Sequence, residues 1–165
     1  MLLILTGVVL YFYFTAAQTG PRKVANISCD ATEQVANHYH AHLTMLYNGN
    51  EVNLPPNIGI TTSCLYWMHT HDGTGVIHIE SPKSQANRNF TLGDFFAVWG
   101  QPLSRTQVAT LKLTGDQKLL VYVDGTLQPD ADPGKISLKA HTQVVLEITP
   151  PTVDPPPTYT FQSGV

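Results

Sequence analysis

Six of the seven histidines of this 165-residue chain fall between His38 and His78, and their spacing is that of strand residues sharing a face. His38, His40 and His42 alternate within HYHAHLTMLY, His69 and His71 within CLYWMHTH, and His78 and Glu80 within VIHIE. Strand residues two apart point the same way about 7 Å from each other, so a His-X-His pair can bring two imidazoles to one ion. Two such pairs on neighbouring strands complete a site. A single histidine is most often a hydrogen-bonded structural residue, but two pairs plus His78 within 41 residues point to metal binding. A pH sensor and a polar network without metal are the other readings of the cluster.

The segment between the second pair and His78 sharpens this. Asp72-Gly73-Thr74-Gly75 is a turn sequence between two alternating runs, so a hairpin places His69 opposite His78. The ligand set expected from the sequence is therefore His40, His42, His69, His71 and His78. Glu80 is a fourth ligand for the hairpin group, an acceptor for an imidazole N–H, or a surface charge, and His38 holds a similar outer position. Imidazole suits copper, zinc, iron and nickel, and an exported domain meets copper or zinc most readily. Met45 and Met68 have core parity, and Cys64 precedes its histidines, which disfavours a cupredoxin electron-transfer site. No HExxH or Ser-His-Asp pattern accompanies the cluster, so binding is favoured over catalysis; a zinc hydrolase or hydratase is the enzyme alternative.

Several elements must position these residues. His38 to Tyr47 reads as a strand ended by Asn48-Gly49-Asn50, and Cys64 to His71 and Val76 to Glu80 form the second hairpin. Thr91, Asp94, Gly100 and Pro102 bracket a short amphipathic helix whose stripe is Leu92, Phe95, Phe96 and Trp99. Further strands are expected at Ala109 to Leu113, Leu119 to Val123, Ile136 to Leu138 and Gln143 to Thr149, with Asp124-Gly125 as a turn. The segments from His42 and from Lys118 share an apolar run, an Asn/Asp-Gly turn and a later Pro element. Two related hairpin units packed face to face make a small β-sandwich or a β-rich α+β domain.

Composition bounds the rest. Nine Lys+Arg against twelve Asp+Glu give a net charge of −3, which offers no basic field for nucleic acid, and 42% hydrophobic residues exclude disorder throughout. The first 21 residues carry no charged side chain. Residues 1–19 read as a retained transmembrane anchor in the lipid bilayer, since no basic segment of the signal-peptide kind precedes the apolar run. Residues 20–37 are then a linker and disulfide-tethered segment, 38–149 the β-rich domain and 150–165 a Pro-rich tail holding 5 of the 12 prolines. Arg22 and Lys23 favour the cytoplasmic side for the chain beyond the anchor, whereas cysteine usage and the histidines favour the other. Cys29 and Cys64 are the only cysteines; the default is one disulfide, and a Cys64 thiolate ligand is the competing reading.

The stretches HAHLTMLYNGN, CLYWMHTHDGTGVIHIESP and FTLGDFFAVWGQPL resemble a poorly characterised group of membrane-anchored extracytoplasmic bacterial domains. The resemblance covers about Tyr39 to Leu103, plus the β-rich end, and implies export and a β-rich fold, without an activity. The sequence thus leads to a non-catalytic copper or zinc domain on the periplasmic side of a bacterial inner membrane, alongside other subunits of a membrane complex. The alternative is a structural accessory subunit of a respiratory or photosynthetic complex, docked through its anchor and tail.

Overall fold

Alternation of apolar and polar residues builds a mainly β structure with one short helix. The computed structural model describes residues 23–162. The expected anchor at 1–19 lies outside the described residues, as do the start of the linker and the last three residues of the tail. Among the described residues no helix is long and apolar enough to cross a membrane.

In chain order the strands are β1 (Cys29–Asp30), β2 (Asn37–Tyr47), β3 (Asn50–Glu51), β4 (Leu65–Tyr66), β5 (Met68–His69), β6 (Val76–Ser81), β7 (Leu103–Ser104), β8 (Gln107–Val108), β9 (Leu111–Lys112), β10 (Lys118–Val123), β11 (Thr126–Leu127) and β12 (Gln143–Thr149). The helix, α1 (Leu92–Trp99), precedes β7. One seven-stranded sheet runs β11-β10-β12-β2-β6-β5, with β3 added to β2. Its neighbours are antiparallel except β12 and β2, which run parallel with Gln143 opposite His42. The pair β1-β4 and the three-stranded β7-β8-β9 stand apart from it.

Strand parity divides the large sheet into two faces. Ala41, Leu43 and Met45 of β2, Ile77 and Ile79 of β6, Leu119 and Val121 of β10, and Val144, Leu146 and Ile148 of β12 join one buried core. Leu92, Phe95 and Phe96 of α1 and Val108 of β8 belong to the same core, covering that face. Apart from Ala41, each of these side chains contributes about 1.5–3 kcal/mol on burial. The helix begins where expected: Thr91 Oγ1 accepts from Asp94 N, Asp94 Oδ2 accepts in return from Thr91 N, and Gly100 closes the helix in the left-handed region.

Three expectations are corrected. The two hairpins, β2-β3 and β10-β11, have the expected Asn/Asp-Gly turns with both residues at positive φ. However, they lie in one sheet on either side of β12, because β12 offers both its edges to them. The expected strand at Ile136 to Leu138 is a 3-10 turn over Pro133–Lys135 followed by a single bridge from Ser137 to Thr91. The expected run from Cys64 to His71 divides at Trp67: β4 pairs with β1 while β5 pairs with β6. The predicted disulfide is present, joining Cys29 to Cys64 with Cα atoms 5.3 Å apart, and it locks β1 beside β4 just upstream of His69.

Candidate metal centre

The second face of the sheet gathers the histidines. Antiparallel pairing of β2 with β6 sets His40 directly opposite His78 and His38 opposite Glu80. Pairing of β5 with β6 sets His69 opposite His78, the register expected from the turn sequence. A row of imidazoles therefore crosses three strands, and His71 joins it from the loop beyond β5. His38 and His71 are exposed, whereas His40, His69 and Glu80 are buried and His78 is half-buried.

The donor atoms of this row are spaced as ligands of an ion. His38 Nε2 lies 3.0 Å from His40 Nε2, and His40 Nε2 lies 3.0 Å from His78 Nδ1. His69 Nε2 lies 3.3 Å from His71 Nε2, and Glu80 Oε1 lies 3.3 Å from both His38 Nε2 and His78 Nδ1. A tetrahedral ion with bonds of about 2.0–2.1 Å separates its ligand atoms by about 3.4 Å. Two donor groups result, each with all its atoms within 4.8 Å of one another: His69, His71, His78 and Glu80, and His38, His40 and His78.

Proton placement supports the same use. His69 Nδ1 lies 2.9 Å from the Tyr66 carbonyl oxygen, which can only accept, so Nδ1 carries the hydrogen and Nε2 presents its lone pair to the cluster. His40 Nε2 contacts two other ring nitrogens and offers either one hydrogen or one lone pair, so it cannot make a full hydrogen bond with both. A cation can be shared by ring nitrogens that converge in this way. Burial also favours the neutral form of His40, His69 and His78. Loss of solvent, followed by the neighbouring imidazoles, lowers His78 to about 3 and His40 to about 4; the His69 pKa is lowered too, mainly by burial. Burial raises the Glu80 carboxyl, with Glu33 adding to the rise and His38 and His71 opposing it. Glu80 Oε2 is buried without a hydrogen-bond partner.

His42, grouped with His40 in the sequence, is not brought into either donor group. Its Nε2 donates to the Thr74 carbonyl at 2.7 Å, its Nδ1 faces Thr44 Oγ1 at 3.4 Å, and its ring stacks on Tyr159 at 3.9 Å. Both ring nitrogens are thus engaged by the protein. Gly75 permits this packing, since at φ +89° a Cβ there would collide with Leu43 O and meet His42 Nε2 at 3.0 Å. Conversely His38, an outer position in the sequence, is a full member of a donor group. Its parity with His40 was the available signal.

The tail was expected to be extended, and over 150–162 it forms no strand or helix and returns along this same face. Gln143 holds the backbone of Tyr159 at both its N–H and its carbonyl, and Val153 N donates to buried Glu147. Tyr159 and Phe161 then stack on His42 and His141. No sequence signal pointed to Tyr159 as a cover for His42.

No protein-family model, curated protein or solved structure matches the chain. The fold and the donor geometry alone define the class: a mainly β domain carrying a histidine and glutamate cluster able to hold a metal ion.

Proposed function

We propose that this chain is a membrane-tethered, extracytoplasmic domain that binds copper or zinc as a non-catalytic metal-holding subunit or carrier. The observation that carries the reading is the convergence of imidazole nitrogens and one buried carboxylate at ligand spacing. The donor chemistry narrows the metal. Cys29 and Cys64 are joined to each other, and Met45 and Met68 are buried in the core, so among the described residues no sulfur donor serves the site. Imidazole with carboxylate suits Zn(II) or Cu(II) better than Cu(I). The apolar run at 1–19 supports tethering, and the disulfide supports an oxidising compartment on the periplasmic side of a bacterial inner membrane, beside other membrane subunits.

Elemental analysis of full-length protein purified without chelator tests the proposal, with a His69→Ala/His71→Ala double variant as control. Bound copper or zinc that is lost in the variant supports it. Less than about 0.2 equivalents per chain after loading with either metal overturns it.

A further inference from the structure

We propose that the cluster is a two-ion centre, with Glu80 bridging the ions and His78 on the strand between them. The inference rests on the metal-binding reading above and adds a stoichiometry to it. His38 and His40 come from β2, and His69 and His71 come from β5 and the loop after it; these flank β6 on opposite sides. At about 4.8 Å between neighbouring strands, the two pairs arise from backbones about 10 Å apart. One ion per inter-strand gap uses both pairs, whereas a single tetrahedral ion leaves two of the six donors unused.

The residues of the middle strand lie between the two gaps: Glu80 can reach both, and His78, with one free ring lone pair, can ligate in either. His78 belongs to both donor groups. Glu80 Oε1 reaches His38 Nε2 at 3.3 Å on one side and His69 Nε2 at 3.8 Å on the other. Its second oxygen, Oε2, is buried and has no hydrogen-bond partner, although the residue is only 3% exposed. A buried carboxylate with one oxygen among ligand nitrogens and the other unsatisfied meets its needs by bridging two cations. Carboxylate-bridged pairs of this kind hold their ions about 3.5–4 Å apart.

Five imidazoles are neutral ligands and Glu80 is the single anion of the set, so Glu80 offsets only part of the charge of two divalent ions, and anions from solvent complete the balance. The outer histidines, His38 and His71, are exposed, which leaves each gap an open side for exchange with solvent or a partner's ligand.

Titration of the full-length chain in detergent with Zn(II) alone, followed by desalting and elemental analysis, reads the stoichiometry. Two equivalents are expected for the wild type, and one each for His38→Ala/His40→Ala and His69→Ala/His71→Ala. Glu80→Gln, which keeps the side-chain volume, is expected to retain one. Loading with Cu(II) supplies a readout that needs no variant: magnetic coupling with a half-field resonance is expected, because the ions share a ligand. One equivalent in the wild type, or two copper ions with uncoupled full-intensity signals, overturns the two-ion centre while leaving metal binding intact. No metal at all overturns the underlying reading instead.

Discussion

Replacing His42 with alanine separates a structural histidine from the ligands around it. The ring is 4% exposed, stacks on Tyr159 with centroids 3.9 Å apart, and donates to the Thr74 carbonyl. Deleting a buried ring of this size, one aromatic stack and one hydrogen bond is expected to cost about 3 kcal/mol, with the exposed Thr74 carbonyl recovering part of its loss from water. For a domain of this size that corresponds to a fall in melting temperature of about 10 °C. Metal content is expected to stay at the wild-type level, because neither nitrogen of His42 faces the cluster. Urea unfolding and elemental analysis on the same preparation, at about pH 7.5 where free imidazole is neutral, supply both numbers. His69→Ala is the companion measurement, and it is expected to lose metal. The reasoning is refuted if His42→Ala loses as much metal as His69→Ala while keeping a native circular dichroism spectrum, or if its stability changes by less than about 1 kcal/mol.

Three further outcomes are expected. The metal-free protein weakens as pH falls: the folded pKa values of His40 (about 4) and His78 (about 3) lie below the 6.5 of an unfolded histidine. Their contribution is complete above that value and is lost as pH falls from it toward 4. The raised Glu80 partly offsets the loss, so about 2 kcal/mol disappears between pH 7 and 5, readable in urea midpoints. Reduction of Cys29–Cys64, which closes a separation of 35 residues, is expected to remove about 4 kcal/mol in the chain-entropy account, measured by denaturation with and without reductant. Gly75→Ala forces a Cβ against Leu43 O and is expected to cost about 2–3 kcal/mol, with His42 losing protection from solvent in hydrogen exchange of its neighbours; a neutral substitution contradicts the packing described.

Much of this site was legible because strand parity is a local rule. His69 facing His78 followed from counting back from the Asp-Gly-Thr-Gly loop, and the helix from Thr91 to Gly100 followed from its capping residues. What escaped was set by tertiary partners. His42 has the same parity as His40, yet the Thr74 carbonyl and the Tyr159 ring, 32 and 117 residues away, claim it. The break at Trp67 depends on Ser28 and on β1, which compete with β6 for that run and are held there by the disulfide. Likewise, β12 stands between the two similar hairpins, and nothing within either hairpin announces a shared neighbour.

The alternation along β2 and β6 ties assembly of the site to the correctness of the fold. On β2, His38, His40 and His42 interleave with Tyr39, Ala41 and Leu43, and on β6, His78 and Glu80 interleave with Ile77 and Ile79. A slip of one residue between these strands would turn imidazoles and a carboxylate into the hydrocarbon layer and isoleucines toward water. The pairing that brings donor atoms together is therefore the pairing that seals the core. A chain that has found the wrong alignment holds neither, so an ion captured by these side chains acts as a gauge of strand alignment as well as a ligand.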